Sequence, residues 1–222
     1  MADVRWHILT IGHLSRNKFW GESEDRAYRA PLCTSTLIQL DDRTIVVDPG
    51  CPPDEMARVL HQRTGLQPEA VDTVFLTHFH EDHRVGISAF PQARWCMAAP
   101  EIHAWTAQLA PDSPELRLLT RLESVVGELV PRIALLPTPG HTSTHTSLSF
   151  TSGGLHVVVA GDAVMTHDFF LAQDVYFNTV DRAAAIQSIA AIVDQADIIV
   201  PGHDNYFLNR GRFERERGGT GG

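Results

Sequence analysis

The sequence predicts an α/β fold in which helices cover sheets, and three observations carry that prediction. Short β-branched runs bounded by turn residues recur along the chain, helical periodicities fall between them in both halves, and no Pro/Gly/Ser-rich stretch or long charge run divides the middle. The last observation makes residues 1–209 a single expected domain. Residues 210–222, charged and then glycine-rich, are expected to form a flexible tail. With 222 residues, 43% of them hydrophobic, the chain has the apolar content for a substantial core.

Strands are expected at 32–40, 44–47, 71–76, 93–97, 132–136, 146–150, 155–160 and 198–200, where Val, Ile, Leu, Phe and Thr cluster. Asp41-Asp42 between the first two reads as a hairpin turn. A helix is expected over 181–196: Ile186, Ile189, Ala190 and Val193 follow i, i+3, i+4, i+7 spacing, and Asp181 is available as an N-cap. Met56, Val59 and Leu60 mark a second helix over 54–64, closed by Gly65. Two more are read at 101–109 and 114–124.

Composition narrows the function. A formal charge of −9, from 27 acidic against 18 basic residues, disfavours a polyanionic partner, since nonspecific nucleic-acid binding needs a basic face. Only Lys18 among the basic residues is a lysine, so a charged substrate anchor would be an arginine. Cys33, Cys51 and Cys96 are too few and too dispersed for a disulfide framework, which fits a reducing compartment. The start, charged at Asp3 and Arg5, lacks a signal peptide's apolar run, and no eighteen apolar residues follow one another. A cytoplasmic protein with no membrane contact is expected.

Chemistry concentrates in the hexapeptide His78-Phe79-His80-Glu81-Asp82-His83, directly after the apolar run 71–76. A buried strand ending in an imidazole-rich turn places those side chains at a sheet edge, where sites form in α/β proteins. Imidazole and carboxylate are natural ligands of zinc and related divalent ions. Three further polar residues repeat the position: His141 follows 133–136, Asp162 follows 157–161, and His203 follows 198–202. Each alone is more often a turn or capping residue. Together they make a candidate cage of five His and two Asp.

This ordered pattern, HxHxDH, then His, then Asp, then His, resembles the metallo-β-lactamase-fold hydrolase superfamily. The resemblance implies a four-layer αβ/βα sandwich and two divalent cations, zinc first, with iron or manganese also compatible. It puts His78, His80 and His141 on one metal, Asp82, His83 and His203 on the other, and Asp162 between them. Asp48, in Val47-Asp48-Pro49-Gly50, would orient the site, and His145 would support it from behind. There are departures: Arg84-Val85-Gly86 stands where members often have Gly-Gly, and Ser143-Thr144 precedes His145 where many read Pro-Gly.

The implied activity is hydrolysis of a small ester, lactone, thioester or β-lactam-like carbonyl compound by a hydroxide bridging the ions, with Asp82 as ligand and catalytic proton acceptor. A phosphodiesterase or nuclease, a mononuclear-iron persulfide-type dioxygenase and a noncatalytic metal-binding protein are the alternatives. Net charge and the lack of a clamp domain count against the nuclease. Met165, three residues after Asp162 where acyl-homoserine lactonases commonly carry Tyr, counts against that lactonase. Fewer than twenty residues after His203 count against a glyoxalase II thioesterase. Phe169, Phe170, Tyr176 and Phe177 are expected to line the pocket or to form a homodimer contact. Arg84, Asn178 and Tyr206 are weaker candidates for substrate contact.

Overall fold

The computed structural model describes residues 3–211. Two six-stranded sheets face each other. The first takes β1 (Arg5–Thr10), β2 (Ser35–Leu40), β3 (Arg43–Val47), β4 (Thr73–Leu76), β5 (Arg94–Ala98) and β6 (Glu123–Val125) in that order. The second runs in space from β12 (Phe207–Leu208) through β11 (Ile198–Pro201), β10 (Leu155–Gly161), β9 (Thr146–Ser152) and β8 (Ile133–Pro137) to β7 (Glu128–Val130). β3, β4, β5 and β6 pair in parallel, as do β10 and β11; the remaining neighbours are antiparallel.

Side-chain alternation explains the layering. Ile45 and Val47 of β3 join Val157 and Val159 of β10 and Val200 of β11 in one core between the sheets. The residues between them point the other way. Val46 meets Met56 and Leu60 of α1 (Pro53–Thr64), while Val158 and Ile199 meet Ile189 and Ile192 of α6 (Arg182–Gln195). Strands buried on both faces need helices outside both sheets, which produces the expected four-layer sandwich. Between α1 and α6 come α2 (Glu81–Arg84), α3 (Ala99–Thr106), α4 (Pro114–Leu119) and α5 (His167–Ala172). Among the described residues no helix is long and apolar enough to cross a membrane.

Local chemistry sets several boundaries. The Asp181 side chain accepts from Ala184 N and caps α6, and Gly65 at φ 76° closes α1. Asp41 turns the β2–β3 hairpin at φ 48°. The structure also corrects three readings. The helix expected over 114–124 stops at Leu119, because Glu123–Val125 pair with β5. The buried face of α6 is Ala185, Ser188, Ile189 and Ile192, so Ile186 and Ala190 of the expected stripe are exposed. That rotation docks α6 against the loop after β8, where Ser188 Oγ donates to Pro139 O at 2.7 Å. Residues 32–34 precede β2 rather than belonging to it. Of the expected tail, Arg210 and Gly211 are helical, and 212–222 lie outside the described residues.

Candidate metal centre

The parallel strands end on the same edge, and their ends carry the polar residues. Asp48 follows β3, His78 to His83 follow β4 and enter α2, Asp162 follows β10 and His203 follows β11; His141 lies in the loop after β8. The structure therefore brings together all seven expected ligands, in two groups. His78, His80, His141 and Asp162 form one, and Asp82, His83 and His203 the other, with the ligand atoms of each within 4.8 Å of one another.

Asp162 joins the groups through its two oxygens. Oδ2 lies 3.1 Å from His141 Nε2 and 3.8 Å from His78 Nε2; Oδ1 lies 3.1 Å from His83 Nε2 and 3.3 Å from His203 Nε2. His80 Nδ1 is 2.9 Å from both His78 Nε2 and His141 Nε2. Asp82 Oδ2 stands 3.6 Å from His203 Nε2.

The groups behind the cage decide which ring nitrogen faces it. Asp48 adopts φ 50°, a left-handed conformation that Asp tolerates better than most residues, and its carboxylate accepts from Thr77 N at 2.8 Å and Thr77 Oγ1 at 2.7 Å. With its own proton committed to Asp48, Thr77 Oγ1 accepts from His78 Nδ1 at 3.1 Å. His83 Nδ1 donates to Asp48 Oδ2 at 2.9 Å, and His203 Nδ1 to Leu32 O at 2.9 Å. Each ring in its neutral form thereby turns an Nε2 lone pair inward, the tautomer a metal ligand needs.

This arrangement fits a cation. His83 Nε2 and Asp162 Oδ1 are buried without a hydrogen bond although they face each other, and two acceptors that close repel unless a proton or a cation lies between them. Burial keeps His78 neutral, with its pKa well below the ordinary value, and pushes His141 down to about 4. At His83 and His203 burial is again the largest single effect and acts in the same direction, but the neighbouring anionic groups together, Asp162 foremost, with Asp48 at His83 and Asp82 at His203, outweigh it and raise both. Burial would raise Asp162; His83, His203 and His141 overcome this and hold it ionised. The protons on His83 and His203 are those an incoming cation would displace.

A cavity of about 580 Å³ opens onto these groups, with His80, Asp82, Asp162 and His203 in its floor. Leu14, Pro31, Leu32, Val85 and Phe177 give it apolar walls.

Residues 28–203 match the model of the metallo-beta-lactamase superfamily. The chain belongs to that superfamily. A beta-lactamase-like protein 2 homolog of Drosophila melanogaster is 25% identical over 199 residues, covering 82% of this chain and 64% of that one. An N-acyl homoserine lactonase of a Bacillus species is 30% identical over 174 residues, covering 74% and 65%. A hydroxyacylglutathione hydrolase of Idiomarina loihiensis is 30% identical over 117 residues, covering 51% and 40%. The chain thus matches between 40% and 65% of the length of these curated relatives. Among solved structures, a quorum-quenching N-acyl homoserine lactone hydrolase superposes with a TM-score of 0.68 at 23% identity, covering 91% of this chain and 92% of the other. A dizinc quorum-quenching lactonase in complex with a product superposes with a TM-score of 0.64 at 17% identity, covering 77% and 72%. At these identities the superpositions show the superfamily's fold.

The weaker candidates separate cleanly. Asn178, Tyr176 and Phe177 line the cavity, whereas Phe169 is buried with Leu14 and Met165, and Phe170 packs on Phe207 away from it. Met165 is buried and presents nothing to the cavity; the tyrosine there is Tyr176, whose hydroxyl pairs with Ser15 Oγ at 3.0 Å. Arg84 stacks on Phe79, and Tyr206 packs on Trp6, both outside the lining. His145 is fully buried behind the first group, with Nδ1 2.9 Å from Thr138 Oγ1 and its ring against His78. Sequence reasoning missed Thr77, Thr138 and the backbone carbonyl of Leu32, none of which carries a motif.

Proposed function

We propose that the chain is a hydrolase holding two divalent cations, zinc first, and acting on a small carbonyl compound: an ester, lactone or thioester. The observation that carries this reading is Asp162, whose two oxygens face two separate groups of ring nitrogens at the floor of one cavity. His78, His80 and His141 with Asp162 Oδ2 would hold one cation, and Asp82, His83 and His203 with Oδ1 the other. Bound there, the pair supplies Lewis acidity that polarises a carbonyl and lowers the pKa of water. The named lactonase and thioester hydrolase among the relatives, and the dizinc centre of one solved neighbour, support this reading.

The chain's own residues do the rest. Asp82 lines the cavity with its side chain 22% exposed, so its carboxylate is placed to orient an attacking water and accept its proton. Asp48 keeps His83 in the required tautomer. The apolar walls exclude water above the floor and receive an acyl or alkyl group. Among the described residues no lysine or arginine lines the cavity, so no cationic side chain flanks the floor to hold the length of a phosphodiester backbone.

Two measurements test the reading. Zinc-reconstituted protein is expected to hold about two ions per chain and to turn over a lactone, ester or thioester at least ~100-fold faster than a bis-phosphodiester or a cephalosporin. Preference for the phosphodiester, or one iron per chain with persulfide oxidation, would overturn it. Asp82→Ala is expected to weaken one of the two zinc binding steps and to lower kcat by about 10²–10⁴, the usual contribution of a positioned acid or base; full activity with unchanged metal content would remove Asp82 from both roles.

A further inference from the structure

Glu101 is fully buried in the first turn of α3, and among the described residues no cation pairs with it. Such a carboxylate is costly unless its oxygens are otherwise satisfied. Here three side-chain donors do so. Trp105 Nε1 donates to Oε1 at 2.8 Å, Thr142 Oγ1 reaches Oε1 and Oε2 at 3.0 Å each, and Thr144 Oγ1 donates to Oε2. The helix N-terminus adds a favourable field for negative charge.

Two of those donors adjoin a ring of the first metal group, and the third belongs to the loop that carries one. Thr142 directly follows His141, and Thr144 closes the same loop. The Trp105 ring meets the His80 ring edge to face at 5.8 Å and Phe79 at 5.5 Å. His80 and His141 come from different sheets, 61 residues apart, yet their ring nitrogens meet at 2.9 Å. One carboxylate ties the supports of both. Thr144 is also where the chain departs from the Pro-Gly common among members, so the departure brings a hydroxyl that this carboxylate uses.

We infer that Glu101 is a positioning residue for the first cation, clamping the His141 loop and the Trp105 ring so that His80 and His141 converge. The inference rests on the two-cation reading above. It concerns the first group, since the clamp's ring contact is with His80 and its threonines lie in the His141 loop. Glu101→Gln keeps the shape but turns an amide N–H toward a donor, so at least one of the three contacts is lost.

The test is stepwise Zn²⁺ binding to metal-free full chain, measured by competition with a chromophoric chelator. E101Q is expected to weaken one binding step by about 10–100-fold, the usual cost of losing a partner behind a metal ligand. That step should be the one Asp82→Ala leaves within threefold of wild type. T144V should weaken the same step, and T144S, which keeps the hydroxyl, should restore it. These milder variants decide the matter if E101Q does not fold. Equal weakening of both steps, or affinities within twofold of wild type in E101Q and T144V, would overturn the positioning role while leaving the hydrolase reading intact. Wild-type protein that takes up no zinc would instead remove that reading.

Discussion

Asp162→Ala is expected to abolish zinc binding at both groups and to lower kcat/KM by at least ~10³. Among the described residues Asp162 is the one carboxylate that faces both sets of ring nitrogens, with Oδ1 and Oδ2 each 3.1 Å from a ring nitrogen of a different group. Without it the first group keeps only neutral rings, and the second keeps one carboxylate, Asp82. Several kcal/mol of transition-state stabilisation from the ions would go with them, and 1.36 kcal/mol is a factor of ten. Metal analysis after gel filtration, with activity on the best carbonyl substrate, checks it. A variant holding one ion per chain at near wild-type affinity would show that the groups bind independently and that Asp162 does not bridge.

The seven cage residues were legible in the sequence because each follows an apolar run; for all but His141, which follows the half-buried β8, that run is a buried strand that delivers whatever follows it to one edge. β10 shows the mechanism: Val157 and Val159 enter the inner core, Val158 the outer one, and Asp162 has no place left but the rim. Short edge elements were not legible. Glu123–Val125 and Glu128–Val130 carry too few β-branched residues to stand out, and are strands only because β5 and β8 offer partners. β1 alternates half-exposed and exposed residues along most of its length, a weak signal for an edge. The face of α6 was displaced by one residue because periodicity scores apolar content, whereas Ala185 is selected by how closely the chain approaches it at Gly140. Glu101 shows the limit most plainly. Its donors Thr142 and Thr144 lie 41 and 43 residues away, and no spacing within one element encodes such a contact.

Close approach also carries the second large effect. Gly202→Ala is expected to lower kcat/KM by about 10² or more while leaving the fold assembled. A Cβ on Gly202 would come within 2.0 Å of Asp162 Oδ1 and 3.0 Å of the Gly161 carbonyl carbon. The Asp162 oxygen is the atom that can move, and it is the one facing His83 and His203. The backbone offers little relief, because Gly202 N donates to Val164 O at 3.0 Å and Gly202 O accepts from Thr34 N at 2.6 Å, pinning the loop on both sides. A displacement on the order of 1 Å at a reacting centre commonly costs a factor near 10². The step most weakened should be the one that Asp82→Ala also weakens, since the added methyl meets Oδ1, the oxygen that faces His83 and His203. Stepwise zinc titration with circular dichroism separates this from general destabilisation: native ellipticity with one weakened step is the expected result, and two unchanged steps at full activity would mean that the loop yields where its hydrogen bonds say it should hold.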